Sequence, residues 1–269
     1  MNVEQVTLIY FSPTGTTRKV LQGIAEGIGV KNVVHVDLTL PADGEQHAVS
    51  FSDGLVLLGA PVYAGRLPAE VIKRFSHLKA DNVLAVPIVL YGNREFEDAL
   101  LELKRFATEL GFCPIAGGAF IGEHSFATAE FPIACGRPDT ADIQKAIEFG
   151  ANVKEKVAAL QSLAEVTELQ VPGNYPYKEK GPRPLPAAPL LDESACTVCG
   201  VCATVCPTGA IAIDEQVVTS AELCIRCCAC IKVCPEGARE IPEGKWKDIA
   251  RWLNENYAVR KEPQFFGLR

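Results

Sequence analysis

Along the first 165 residues, short apolar runs alternate with stretches in which apolar positions recur every three to four residues. The runs are residues 6–11 (VTLIYF), 32–37, 54–60 (GLVLLGA), 83–90 and 113–121; the longer period marks 15–28, 68–76, 94–110 and 139–163. Runs too short for helices and apolar on both faces predict strands of a parallel sheet, and the amphipathic stretches predict the helices covering it. The stretch 94–110 carries acidic residues early and Lys104 and Arg105 late, matching a helix dipole. The expected fold is α/β: a doubly wound five-stranded parallel sheet in the order 2-1-3-4-5.

The pattern then changes. Pro172, Pro176, Pro182, Pro184, Pro186 and Pro189 predict a semi-rigid extended linker over 166–191. Residues 171–191, fully extended at ~3.1 Å each, would reach about 65 Å, leaving the domain arrangement open. Within 192–243 the chain repeats: Cys196, Cys199, Cys202 and Cys206 recur 28 residues later as Cys224, Cys227, Cys230 and Cys234. The flank Cys206-Pro207-Thr208-Gly209-Ala210 matches Cys234-Pro235-Glu236-Gly237-Ala238. Residues 245–256 predict a helix whose Trp246, Ile249 and Leu253 stripe packs on the cysteine-rich domain. The expected units are 1–165, 166–191, 192–243 and a basic helix and tail, 244–269.

Charge and composition narrow the function classes. A net charge of −7 argues against nucleic-acid binding. No apolar run reaches the ~18 residues of a membrane span, and the first residues lack a signal-type apolar core, so a cytoplasmic location is expected. Of eleven cysteines, nine lie between Cys196 and Cys234, which points to metal rather than to disulfides.

The spacing C-x2-C-x2-C-x3-C-P, twice, suits two [4Fe–4S] clusters. In two-cluster proteins the fourth cysteine of each run ligates the other cluster. The expected sets are Cys196, Cys199, Cys202 and Cys234 for one, and Cys224, Cys227, Cys230 and Cys206 for the other. Zinc ribbons instead separate C-x2-C pairs by a dozen or more residues. The segment resembles bacterial 2[4Fe–4S] ferredoxins over about 50 residues. Cys228 is expected to be a small buried neighbour, Cys113 a core residue and Cys135 a loop residue.

The first domain offers a second site. Ser12, Thr14, Gly15, Thr16 and Thr17 follow the first strand and open a helix, where hydroxyls and free N–H groups bind phosphate; plain helix capping is the alternative. Pro61, Val62, Tyr63, Ala64 and Gly65 follow the third strand, and Tyr91, Gly92, Asn93, Arg94 and Phe96 the fourth. All three loops leave carboxyl ends of strands, where ligands bind in open sheets. Tyr63 and Phe96 are expected to flank a flat ring, with Gly65 and Gly92 letting backbone approach it.

Residues 4–163 resemble the flavodoxin family through the [ST]-x-T-G-x-T pattern at Ser12–Thr17 and a G-N-x-x-aromatic loop at Gly92–Phe96. The resemblance implies FMN, with Ser12–Thr17 on its phosphate and Tyr63 and Phe96 near its ring. Pro13 and a long fifth loop, 122–138, depart from the family. In that loop His124, Ser125 and Phe126 border the flavin or form a docking surface; Arg66 and Arg94 read as solvated residues. The whole chain resembles flavodoxin–ferredoxin fusions of the EFR type.

These features predict an electron carrier that passes electrons between two [4Fe–4S] clusters and FMN, coupling one- and two-electron steps for external redox proteins. The alternative is an FMN-dependent reductase of a small molecule; a redox sensor ranks third. The acidic balance of 192–243, eight acidic against three basic residues, suits low cluster potentials and electron flow toward the flavin. A homodimer is compatible with the sequence.

Overall fold

The computed structural model describes residues 1–41, 48–179 and 187–268. The chain begins with β1 (Gln5–Tyr10), α1 (Thr16–Ile28), β2 (Asn32–Asp37), β3 (Val49–Phe51), β4 (Leu55–Pro61) and α2 (Ala69–Phe75). It continues through β5 (Leu78–Ala80), β6 (Val83–Tyr91), α3 (Ala99–Glu109), β7 (Phe112–Pro114), β8 (Gly117–Ile121) and α4 (Thr140–Ala159). β2, β1, β4, β6 and β8 lie side by side and parallel, the expected 2-1-3-4-5 order when the long strands alone are counted. Two differences from expectation are local. The fifth strand is split, because β7 and β8 pair with successive parts of the long β6 and residues 115–116 interrupt them. α3 starts at Ala99, not near Arg94, because Asn93 and Glu97 hold positive φ of 65° and 44°. The small β3–β5 ribbon was too short to read from periodicity.

The helices cover the sheet on both sides. Val20, Leu21 and Ile24 of α1 join Phe149 and Val153 of α4 on one face; Val71 and Phe75 of α2 join Leu100 and Leu103 of α3 on the other. α1 and α4 cross at backbone contact: a Cβ on Gly27 would lie 1.9 Å from the Ile147 carbonyl oxygen, and one on Gly150 2.0 Å from that of Ile24.

The second domain contains β9 (Leu190–Leu191), α5 (Val201–Thr204), β10 (Ile211–Ile213), β11 (Val217–Thr219), α6 (Ala229–Lys232) and β12 (Arg239–Glu240). β10 pairs with β11 and β12 with β9, both antiparallel, so the sequence repeat becomes two similar half-domains. The described part of the linker is no free spacer. Leu169 is buried, and the buried Asp98 carboxylate accepts hydrogen bonds from the N–H groups of Asn174 at 2.8 Å and Lys178 at 2.7 Å. Burial works against the Asp98 charge, but these donors outweigh it and hold the carboxyl below its usual range. Arg105 lies over Tyr175 at 3.9 Å and Arg66 over Tyr177 at 4.3 Å. The segment expected to be a semi-rigid extended linker is thus docked on the first domain as far as residue 179; Pro182, Pro184 and Pro186 lie outside the described residues.

The C-terminal segment returns to the first domain. α7 (Lys245–Tyr257) and β13 (Gln264–Phe266) follow β12. The α7 stripe was expected to pack on the cysteine-rich domain, with a partner or dimer contact as the alternative, and it does so in part. Trp246 packs against Cys228 and Ile241 on one side and Phe126 on the other, while Leu253 meets Ala127 and Ile133 of the fifth loop. β13 pairs antiparallel with β8, Phe265 opposite Gly118, and places Phe265 4.8 Å from the Phe149 ring. A sixth strand thereby covers an edge that would otherwise present unpaired backbone groups.

Asn93 clamps this return. Its Nδ2 donates to the carbonyls of Tyr257 and Val259 at 2.6 and 2.8 Å, and its Oδ1 accepts from the Lys261 N–H at 3.2 Å. Because Asn93 is buried, Asn93→Ala is expected to cost about 3 kcal/mol through the partners left unsatisfied. The measurement is the urea midpoint together with limited proteolysis, with new cleavage between Tyr257 and Lys261; an unchanged midpoint would contradict the clamp.

Candidate cofactor site

The loop after β1 is built to hold an anion. Gly15, at φ 77°, precedes α1 and turns the chain into the helix. The Ser12 hydroxyl accepts from the Arg18 N–H at 3.1 Å, and the Ser12 N–H donates to the Thr39 hydroxyl at 2.9 Å. Thr39, which the sequence did not single out, thus fixes the loop from the end of β2. The Thr14 and Thr16 hydroxyls are 3.4 Å apart. The first-turn N–H groups of Thr16 and Thr17 have no acceptor within the helix, and Ser12, Thr14, Thr16 and Thr17 all face one cavity. The arrangement fits a phosphate: donors converge and no carboxylate sits in the loop.

That cavity has a volume of about 810 Å³ and lies at the carboxyl ends of β1, β4, β6 and β8. Pro61, Val62, Tyr63 and Ala64 form one wall, and Tyr91, Gly92, Arg94 and His124 another. Gly92 is required here, since a Cβ would lie 2.3 Å from the His124 ring. The His124 Nδ1 accepts from the Phe126 N–H at 2.9 Å, which leaves the proton of a neutral ring on Nε2. Burial, with the nearby Lys232 and Arg94 charges, lowers the His124 pKa to about 4, so the ring is neutral near pH 7. Burial also raises Tyr91 to about 12 and lifts Tyr63 well above its usual range. Cys227, Cys228 and Ser125 neighbour the Tyr63 phenol. The Tyr91 hydroxyl is buried without a protein partner.

Three expected flavin residues lie elsewhere. Phe96 is buried in the core under α3, its ring 5.5 Å from that of Tyr91, and lines no part of the cavity. Asn93 spends its side chain on the C-terminal clamp. Gly65 abuts the Glu97 side chain, and Glu97 pairs with Arg94 at 2.6 Å. In Phe96's place the cavity has Phe126 from the fifth loop and Trp252 from α7. Arg66 is no solvated loop residue, since Glu102 holds it at 2.6 Å. The far wall is the second domain itself: Ala221, Glu222, Cys224, Ile225 and Arg226. An aromatic off the apolar stripe of α7 was the one sequence signal for Trp252.

The cysteines form two nests. Cys196, Cys199, Cys202 and Cys234 ring one small cavity, and Cys206, Cys224, Cys227 and Cys230 ring a second. All eight are free thiols. Val198 and Gly200 in the first run, and Arg226 and Cys228 in the second, hold positive φ and bend the chain around each nest. Backbone N–H groups point at sulfur: Ala210 to Cys206 at 3.2 Å and Arg226 to Cys224 at 3.4 Å. Four thiols with N–H donors around one space fit a thiolate-bound cluster. Cys228 stands where the first run has Gly200 and is buried, its thiol raised well above the usual range by burial and by neighbouring cysteines. Cys224 borders both the second nest and the large cavity.

The two domains are tied around that shared wall. Lys232 donates to the Ala127 carbonyl at 2.9 Å and pairs with Glu123. Arg74 donates to the carbonyl of Pro207, beside Cys206, and to that of Leu38 at 2.7 Å. Lys247 meets Glu130 at 3.1 Å.

A family model of the 4Fe-4S binding domain matches residues 189–212 and again 217–240. Strand order and this match define the class: a flavodoxin-like α/β domain joined to a C-terminal 4Fe-4S binding domain. Solved structures similar to the first part include a flavodoxin from the domain Archaea, at 13% identity and TM-score 0.37, covering 57% of this chain and 99% of that one. Oxidised Flavodoxin 1 from Bacillus cereus gives 17% and 0.40, covering 58% and 99%. Rubredoxin oxygen:oxidoreductase from Desulfovibrio gigas gives 16% and 0.41, covering 59% and 38%. No curated protein sequence matches the chain. Among the described residues, no helix is long and apolar enough to cross a membrane.

The His124 environment has a pH signature. The unfolded imidazole, with a pKa near 6.5, takes up a proton that the folded one refuses until about pH 4. The contribution is fully present above pH 6.5 and is lost as pH falls from there to 4. His124→Gln is expected to flatten the fall in urea midpoint between pH 7 and pH 5; the same slope in both proteins would refute the assignment.

Proposed function

We propose that this chain is an electron-transfer protein carrying FMN in the large cavity and a [4Fe–4S] cluster in each cysteine nest, working between external redox proteins. The observation that carries this reading is the shared wall at Cys224. The space at the carboxyl ends of the strands and the second nest meet at two adjacent residues, Cys224 and Ile225, so the two kinds of cofactor would be neighbours. FMN would supply a centre that holds one or two electrons, and each cluster a centre that holds one.

The chain's own residues divide the work. Ser12, Thr14, Thr16 and Thr17, with the N–H groups of the first helical turn, would bind the phosphate. Pro61, Val62, Tyr63 and Ala64 would lie along one side of the ring and Tyr91, Gly92 and Arg94 along the other. The neutral His124 would offer an Nε2 proton into the same space. Cys196, Cys199, Cys202 and Cys234 would hold the cluster farther from the cavity, and Cys206, Cys224, Cys227 and Cys230 the nearer one. In this reading 1–165 is the flavin domain, 192–243 the cluster domain, and 166–191 and 244–269 the straps between them. Cys199 is exposed, which suits the outer nest to exchange with a partner protein.

A volume of about 810 Å³ is within the usual range for small-molecule pockets, about 300–1,000 Å³. The wall of Ile249, Trp252 and Leu253 favours a second reading, in which a small substrate shares the space and is reduced there. Steady turnover of a small acceptor by the photoreduced protein would support it over the carrier reading.

Anaerobic reconstitution followed by metal and flavin analysis tests the assignment: about eight iron and one FMN per chain are expected, and two zinc without flavin would refute it. Gly92→Ala, by driving a methyl into the His124 ring, is expected to weaken FMN binding at least about tenfold, a loss of about 1.4 kcal/mol, and to leave the iron content unchanged. Unaltered flavin affinity in that variant would place the ring elsewhere.

A further inference from the structure

Arg239 lies inside the cluster domain, and no step so far uses it. It is 3% exposed. Its Nη2 donates to the Thr219 hydroxyl at 2.6 Å, and its guanidinium is a hydrogen-bonding neighbour of Cys230, while its Nε and Nη1 are buried without a well-aligned acceptor. Among the described residues, no carboxylate forms an ion pair with it. A buried, half-satisfied guanidinium is costly, and natural structures keep one only where a counter-charge answers it.

Its position shows what that counter-charge is. Arg239 lines the cavity ringed by Cys196, Cys199, Cys202 and Cys234. It also neighbours Cys230 and Cys224 of the other nest. The internal repeat sharpens the point. The residue 28 positions earlier, at the same place after Cys-Pro-x-Gly-Ala, is Ile211, which is a buried core residue. The fold therefore takes an apolar side chain at this position, and the second half replaces it with a cation. Arg226 and Lys232, the other basic residues of 192–243, point to the junction with the first domain. Arg239 is the basic residue placed between the nests.

We propose that Arg239 is the shared counter-charge of the two cluster sites, a positioning residue that raises the reduction potential of both. Reduction adds one electron to an already anionic thiolate-bound cluster, with no bond made or broken. A fixed cation beside it stabilises the reduced form more than the oxidised one, and low dielectric strengthens the effect. The surrounding acidic residues pull the other way, so Arg239 offsets them from inside. The step moves an electron and no proton, so the contribution is independent of pH.

The inference rests on the cluster assignment above, and the test separates the two. Reconstituted full-length wild type, Arg239→Ile and Arg239→Lys are analysed for iron and by EPR, then titrated by spectroelectrochemistry. Wild type without [4Fe–4S] signals refutes the assignment itself. With clusters present, R239I, which copies the residue of the first repeat, is expected to lower the potential of both. The shift should reach at least about tenfold in the one-electron equilibrium, about 59 mV, equally at pH 6.5 and 8. R239K should stay within about threefold of wild type. R239I potentials unmoved at full iron content, or R239K shifted as far as R239I, would overturn the proposal. Should R239I load no iron, Arg239→Gln is judged by the same criterion, and failure of every neutral variant beside a loaded R239K would support the need for charge.

Discussion

The contact between the Cys224–Arg226 turn and the carboxyl ends of the sheet is the constraint around which the rest is arranged. An open parallel sheet makes a crevice at its switch point but leaves that crevice without a lid. Here the lid is a second domain, held by Lys232 on the fifth loop and Arg74 on the turn after Cys206. Trp246 fills the remaining angle between Phe126 and Cys228. Three different kinds of contact, a charged pair, carbonyls on a guanidinium and an aromatic wedge, set one orientation. Any of them alone would leave the wall loose.

The electrostatics follow from that closure. His124, Tyr63 and Tyr91 are partly shut off from water; burial holds His124 neutral down to about pH 4 and pushes the two phenols, neutral already, further from ionisation. The formal charges that remain near the cavity, Arg94, Arg226, Glu70, Glu123 and Glu222, stand on its walls. The cation that does lie deep, Arg239, is on the cluster side.

Much of the fold was legible because each strand of the sheet is a short, continuous apolar run and each helix carries a clean stripe. The hydroxyl-rich loop that opens onto the cavity was legible for the same reason: it sits in six consecutive residues behind one strand. What could not be read depended on contacts distant in sequence. Phe96 and Tyr63 look equivalent as loop aromatics, and only packing under α3 sends Phe96 into the core. Asn93 sits in a flavin-type motif, yet its partners are 164 to 168 residues away. The linker prolines suggested reach, whereas a single buried carboxylate, Asp98, ties down the residues before them. Three residues at 264–266 are too few for periodicity to mark, although they complete the sheet.

That sixth strand changes what kind of object the second domain is. A module hung from one tether can swing; here the chain before the second domain is tied to Asp98 and the chain after it joins the sheet as β13. The chain from 190 to 243 is, topologically, an insertion between the fifth and sixth strands of the first domain. The strand that covers the edge of β8 lies downstream of both cysteine runs, so in chain order that edge is covered only after the smaller domain has been passed.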